Sequence, residues 1–124
     1  MRVSLDAPSL GGICRAIVTL HAYVDAAIAQ FTEAIRLNPA YAEAENNLGA
    51  ALHRQGKIKE AIVHFETVIK LNPGDAVAHN NLGAALGGEG KFEAASAHFA
   101  EAVRLMPDFT EARDNLRRAQ ALRQ

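Results

Sequence analysis

The feature that most constrains this chain is an internal repeat of 34 residues. Residues 42–75 align with residues 76–109 without a gap, and 16 of the 34 positions are identical. A fixed period of this length is typical of stacked structural units, each of which buries its apolar face against the next. The fold is therefore predicted to be one small unit, repeated.

Each unit contains two amphipathic segments separated by a glycine. In the first copy the first segment ends before Gly56, a residue that readily adopts the positive φ of a helix C-cap. The second segment has apolar residues at three- and four-residue spacing and ends at Pro73, since proline cannot continue a helix. Gly90 and Pro107 stand at the same places in the second copy. The unit is predicted to be helix, turn, helix.

These residues resemble the signature of the tetratricopeptide repeat (TPR). The resemblance implies an all-α fold, in which antiparallel helix-turn-helix repeats stack as a right-handed α-solenoid. The signature positions are filled in the two copies by Leu48-Gly49, Leu52, Gly56, Ala61, Phe65, Val68 and Pro73, and by Leu82-Gly83, Leu86, Gly90, Ala95, Phe99, Ala102 and Pro107.

The whole chain is predicted to be one TPR domain. Its 124 residues, 49% of them hydrophobic and 22% charged, suit a single globular unit. Two complete repeats, 42–75 and 76–109, follow a degenerate first repeat over 8–41 and precede a polar capping helix over 110–124. The capping helix is expected because the last repeat would otherwise expose an apolar face.

The first repeat lacks the features that turn the chain. Cys14-Arg15 stands where Leu-Gly is expected, and Ala22 where the turn glycine is expected. One alternative is a hairpin that turns near residues 21–23 without glycine. Another is one helix from about Leu10 to Asn38, roughly 40 Å long. A disordered or cleaved N-terminus is the third.

A continuous helix could not fold its N-terminal half back onto its own C-terminal half. Its apolar stripe would then need another molecule, which predicts a homodimer with exchanged N-terminal helices. The predicted dimer interface is Leu10, Ile13, Cys14, Ile17, Val18 and Val24.

The resemblance also implies a function. First helices of TPR arrays line a concave groove, so the chain is predicted to be a protein-protein interaction scaffold that binds a peptide or helical segment of a partner. Self-assembly, or service as the TPR segment of a larger enzyme, are the alternatives. The predicted groove residues are Glu43, Asn46, Asn47, Ala50, His53, Arg54, Val77, Asn80, Asn81, Ala84, Glu111, Asp114, Asn115 and Arg118.

Asparagines recur along this groove at the repeat spacing. Asn47, Asn81 and Asn115 form a ladder of carboxamides, which can donate and accept hydrogen bonds to a peptide backbone. The ladder could equally satisfy polar groups between neighbouring helices. Some family members hold a terminal carboxylate with Lys and Arg on successive first helices. That clamp is predicted to be absent here, where the equivalent positions carry Gly12, Ala16, Asn47, Val77 and Asn81.

No residue pattern indicates catalysis, and we expect no catalytic residue, no metal site and no cofactor. No HExxH or cysteine-histidine cluster occurs, and Cys14 is the only cysteine. Gly87–Gly90 lacks the spacing of a phosphate-binding loop and is interpreted as a widened turn. His64 and His98 hold the same repeat position and are predicted to stack on the outer surface.

The charge of the chain argues against polyanionic partners. Its 13 basic and 14 acidic residues are scattered and give a formal net charge of −1, so neither nucleic-acid nor membrane binding is expected. The most apolar stretch, residues 13–29, is interrupted by Arg15, His21 and Asp25. Arg2 alone would make a weak signal-peptide n-region, and a lone cysteine suits a reducing compartment. A cytoplasmic location is the expectation.

Overall fold

The computed structural model describes residues 10–123, and their side chains from residue 19 onward. Within this range the chain is entirely helical apart from short connections. The helices are α1 (Leu10–Leu37), α2 (Ala42–Arg54), α3 (Ile58–Leu71), α4 (Ala76–Gly88), α5 (Phe92–Leu105) and α6 (Thr110–Leu122).

The two predicted turn glycines connect the helices of each pair. Gly56 between α2 and α3 has φ +80°, and Gly90 between α4 and α5 has φ +79°. The amide of the next residue, Lys57, donates to the carbonyl of Leu52 at 2.9 Å and closes the end of α2. Only glycine adopts this left-handed conformation without a steric cost, so the turn depends on it.

A second glycine in each pair permits close helix packing. A Cβ atom added to Gly49 would lie 2.7 Å from Cε1 of Phe65, and one added to Gly83 would lie 2.6 Å from Cε1 of Phe99. The Phe65 side chain, 1% exposed, thus packs directly on the backbone of α2. The aromatic ring and the missing side chain are complementary, and neither can change alone.

The turn between α4 and α5 is no wider than the one before it. α4 continues through Gly87 and Gly88 and has 13 residues, as α2 has. The widened turn predicted for Gly87–Gly90 is therefore wrong. Tertiary packing holds these two glycines in the helix despite their low helix propensity.

The helix pairs stack into an all-α repeat solenoid, as predicted. Leu48 and Leu52 of α2, Phe65 of α3 and Leu82 of α4 share one apolar cluster that joins the two complete repeats. The first helices touch one another, α2 against α4 and α4 against α6, whereas no such contact joins α3 to α5. The stack therefore curves with α2, α4 and α6 on its inner side.

The first helix that the structure describes is continuous. α1 has 28 residues, about 42 Å at 1.5 Å per residue, and residues 21–23 are helical. The alternative of a hairpin turning at these residues is wrong. Ala22 replaces a glycine that has positive φ in the other repeats, and an L-residue disfavours that conformation.

The C-terminal half of α1 packs on the array. Ile28, Phe31 and Ile35 lie against the apolar cluster of α2 and α3. Of the predicted dimer-interface residues, Val24 is half-buried. The side chains of the other five, Leu10, Ile13, Cys14, Ile17 and Val18, lie outside the described residues.

Candidate functional site

The predicted groove residues lie on three adjacent helices, α2, α4 and α6. Hydrogen bonds between their asparagines run from α2 to α4 and from α4 to α6, so these side chains share one face, called the inner groove below. Of the predicted residues, Glu43, Arg54, Val77, Glu111 and Arg118 are exposed, Asn46, Asn47, Ala50, His53, Asn81, Ala84, Asp114 and Asn115 are partly buried, and Asn80 is buried.

Two asparagine bridges hold the inner groove together. Nδ2 of Asn81 donates to Oδ1 of Asn46 at 3.0 Å, and Nδ2 of Asn115 donates to Oδ1 of Asn80 at 3.1 Å. Each bridge joins residues 35 apart, one more than the period, so the asparagine at the repeat position of Asn47 reaches the position of Asn46 in the previous repeat. The amides of Asn81 and Asn115 therefore satisfy groups between neighbouring helices, with a side chain as acceptor.

Asn80 is a structural residue rather than a surface one. It is 3% exposed, and its Nδ2 donates to Oε1 of Glu111 at 3.3 Å while its Oδ1 accepts from Asn115. A buried carboxamide satisfied on both sides has no atom left for a partner. Asn80 was predicted to contact a ligand in the groove, but in this structure its side chain contacts α6 instead.

Three carboxamide groups of the inner groove retain free capacity. Asn47 makes no hydrogen bond within residues 19–123, and in the same range no donor reaches Oδ1 of Asn81 or Asn115. None of these atoms is sealed from solvent. The groove thus offers one complete amide and two carbonyl acceptors, in a row across α2, α4 and α6.

A cleft between α1 and α2 was not foreseen as a site. One part is lined by Leu20, Tyr23, Val24, Ala27, Phe31, Asn47, Ala50, Ala51 and Arg54. A wider part, about 750 Å³, reaches His21, Asp25, Gln55 and Lys57. Leu20 and Val24 continue the apolar spacing of α1 toward its N-terminus, and this spacing is the sequence signal that could have indicated the cleft.

A polar contact crosses the wider part of this cleft. Nε2 of Gln55 donates to Oδ1 of Asp25 at 2.6 Å, while Oε1 of Gln55 is buried and has no partner. The contact ties the end of α2 to the middle of α1. The cleft that it crosses is called the α1–α2 cleft below.

Histidines pair with the first helix of their own repeat. Nδ1 of His64 lies 2.6 Å from Oε2 of Glu45, and at the equivalent positions Nδ1 of His98 lies 3.2 Å from Nδ1 of His79. Nε2 of His79 also lies 3.1 Å from the carbonyl oxygen of Pro73. The predicted stacking of His64 on His98 is therefore wrong, because each contacts its own first helix.

Burial lowers the pKa of His98, and the neighbouring His79 lowers it further, whereas the carboxylates of Glu66 and Glu101 oppose the shift. An Nδ1–Nδ1 contact needs one ring nitrogen without a proton, since a hydrogen bond has one donor and one acceptor. The pair is thus suited to neutral imidazole at one of its members.

The described residues contain neither a metal-binding cluster nor a membrane-spanning helix. Across residues 10–123, no group of three or more histidine, cysteine, aspartate or glutamate side chains converges in a way that could hold a metal ion. In the same range, none of the helices combines the length and the apolar character needed to cross a bilayer.

Sequence models of one repeat family match this chain three times. Two models described as tetratricopeptide repeat match residues 42–75 and 76–109, and one described as TPR repeat matches residues 24–56. Together they cover the chain from the second half of α1 to the end of α5. No curated protein matches this sequence.

Solved structures with this fold include a peptide complex. The first TPR of Spaghetti (RPAP3), bound to the HSP90 peptide SRMEEVD, is 26% identical, with a TM-score of 0.79 over 86% of this chain and 85% of that one. YrrB, described as a TPR protein with an unusual peptide-binding site, is 26% identical, with a TM-score of 0.70 over 78% of this chain and 50% of that one.

A third structure supports the fold alone. The Arabidopsis OM64 TPR domain is 23% identical, with a TM-score of 0.78 over 86% of this chain and 88% of that one. The repeat models, the paired helices and the glycine-phenylalanine contacts agree with one another. The chain belongs to the tetratricopeptide repeat family.

Proposed function

We propose that this chain is a protein-interaction scaffold that binds an extended or helical segment of a partner protein in the inner groove. The observation that carries the proposal is the row formed by the complete side-chain amide of Asn47 and the free carbonyl oxygens of Asn81 and Asn115. A row of acceptors and donors on adjacent helices matches the repeating amides and carbonyls of a polypeptide backbone.

Two similar proteins support a peptide as the ligand. The first TPR of Spaghetti is bound to an HSP90 peptide, and YrrB is described as having an unusual peptide-binding site. Both share the fold and are 26% identical to this chain over the aligned residues. The role proposed here is the same kind of recognition, by a non-catalytic module.

The side chains of the inner groove favour a ligand of mixed or neutral charge. Glu43, Glu111 and Asp114 are offset by Arg54 and Arg118, and Val77, 44% exposed, adds an apolar contact at the centre. The groove has no cluster of cations for a terminal carboxylate. Recognition is therefore proposed to depend on the peptide backbone and one apolar side chain.

Peptides selected from a random-sequence display library would test the proposal. We expect selected peptides to bind wild type, and Asn47→Ala to weaken binding about 3- to 10-fold, the effect of losing one or two hydrogen bonds. Val77→Ser should weaken the same peptides. Amidating the peptide C-terminus should leave the affinity within about threefold, because no carboxylate is clamped. Fluorescence anisotropy measures each affinity.

Asn72→Ala is the matched control, since Asn72 is exposed at the end of α3, outside the inner groove. Melting curves should show all three variants folded, because the side chain of Asn47 holds no helix in place. The proposal would be overturned if no peptide were selected, or if Asn47→Ala and Val77→Ser bound as tightly as Asn72→Ala.

A further inference from the structure

The α1–α2 cleft occupies the place of a missing inner helix. α4 lies beside α2 and α6 lies beside α4, so each first helix borders the first helix of the preceding repeat. α2 has no such neighbour within residues 10–123, because α1 runs straight instead of folding into two helices. The open side of α2 and the facing side of α1 together form the cleft.

The lining of the cleft is suited to an apolar helix. Leu20 is 62% exposed and Tyr23 is 72% exposed, although both lie next to the packed half of α1. The cleft therefore exposes apolar side chains that a neighbouring helix would cover.

The sequence of the chain contains a segment that matches this vacancy. Positions 10, 14, 17 and 18, advanced by one period, correspond to Ala44, Leu48, Ala51 and Leu52 of α2. All four are buried in α2, between 3% and 6% exposed. The N-terminal half of α1 thus carries leucine, cysteine, isoleucine and valine at the four positions that a first helix buries.

This segment cannot reach the cleft of its own chain. The helix extends 13 residues from Tyr23 back to Leu10, about 20 Å along its axis, without a turn. A second copy of the chain presents the same segment with the opposite direction, when the two α1 helices cross antiparallel. An isologous pair of this kind fills both clefts at once.

We propose that two copies of this protein associate through α1, each placing the N-terminal half of its α1 in the α1–α2 cleft of the other. The two-fold axis passes near Leu20. In this arrangement the sequence brings position 10 opposite Phe31 and position 17 opposite Val24, and brings Arg15 close to Asp25. The helix is shifted by about five residues from its ordinary repeat position.

The shift follows from the contact between Gly49 and Phe65. In the repeat register Arg15 takes the place of Gly49 and Phe31 that of Phe65, but a Cβ atom at Gly49 would lie only 2.7 Å from the phenyl ring. Arginine at that place would force the helices apart. In the proposed dimer, a shift of the helix by five residues puts Leu10 near Phe31 of the other copy. It also puts Arg15 near the carboxylate of Asp25.

Light scattering of the purified chain at about 100 µM tests the association, because dimers are favoured by concentration. We expect a dimer for wild type and a monomer for Leu20→Glu, which places a charge on the two-fold axis. Val63→Glu is the matched control: Val63 is 58% exposed on α3, outside the cleft, and the variant should stay dimeric. Because Leu20 is exposed in the single chain, Leu20→Glu should keep its helical circular dichroism spectrum.

A disulfide experiment tests the register. In a Cys14→Ala background, Leu20→Cys should form an intermolecular disulfide on mild oxidation, since residues near a two-fold axis approach within about 7 Å between Cα atoms. Tyr23→Cys should cross-link less, because residue 23 lies away from the proposed axis. In the unshifted register the axis would pass through residue 23, and Tyr23→Cys would cross-link more. A monomeric wild type, a dimeric Leu20→Glu, or preferential cross-linking of Tyr23→Cys would overturn the proposal.

Discussion

Two glycines of α4, only four residues apart, differ in whether the packing around them requires glycine. A Cβ atom on Gly83 would lie 2.6 Å from the ring of Phe99, so the backbone contact requires a residue without a side chain. A Cβ atom on Gly87 would be 4.0 Å from the Cβ of Ala95, an ordinary contact. Gly87 takes the place that His53 has in α2. Packing explains Gly83, and nothing in the structure requires Gly87.

The two alanine substitutions should therefore change stability in opposite directions. We expect Gly83→Ala to lower the free energy of unfolding by about 1–3 kcal/mol through overpacking. Gly87→Ala should raise it by up to about 1 kcal/mol, because alanine has the higher helix propensity. Urea titration followed by circular dichroism measures both. Changes of the same sign would contradict this account of the two positions.

At the scale of the helices, α4 and α5 are joined by a contact that should respond to pH. The pKa of His98 is lowered by burial and by His79, so in the folded protein the neutral ring is favoured. The unfolded chain then binds more protons than the folded one below about pH 6.5. This contribution to stability is complete above that pH and is lost as the pH falls through the lowered pKa.

Replacing His79 by glutamate should reduce this acid sensitivity. His79→Glu recreates the pair of the preceding repeat, in which Oε2 of Glu45 lies 2.6 Å from Nδ1 of His64, and a carboxylate favours the protonated imidazole. We expect the fall in melting temperature between about pH 7.5 and about pH 5.5 to be smaller than in wild type. Val63→Glu adds the same charge away from His98, and its melting temperature should fall as much as that of wild type.

The sequence predicted α2 to α6 well because their determinants are local and repeated. Glycine at positive φ, proline after each pair and a phenylalanine one helix away recur at spacing 34, so one unit explains the next. The front of the chain keeps Phe31 and Pro39 at this spacing but has no glycine at the positions of Gly49 and Gly56. Ala22 disfavours the glycine type of turn but does not exclude a turn of another type. Whether α1 bends therefore depends on what its N-terminal half packs against.

The site was predicted less completely, for a different reason. The period of 34 places Asn47, Asn81 and Asn115 on one line, but the bridges join residues 35 apart, and the period does not reveal that offset. The burial of Asn80 is likewise a property of the contact between α4 and α6. Side-chain partners across helices follow from the angle at which the repeats stack, which the spacing of residues does not specify.

For the molecule as a whole, α6 covers the apolar face of the second complete repeat. Ala112 and Ala119 of α6 are buried, and they cover Ala102 and Phe99 of α5. Deleting residues 110–124 should expose this apolar surface and lower the free energy of unfolding by about 2–4 kcal/mol. Urea titration and binding of an apolar dye measure the loss. Removing only residues 121–124 should have little effect, and equal effects of the two deletions would contradict the capping role.

The one-sided contact between neighbouring repeats has a mechanical consequence. The backbones of the inner helices lie close together and are linked by the asparagine bridges, whereas the Cα atoms of α3 and α5 on the outer side are more than 8 Å apart. The inner edge can then act as a line of hinges, while the outer helices separate or approach without breaking a shared interface. We therefore expect the array to bend most easily in the direction that increases or decreases its curvature around a ligand.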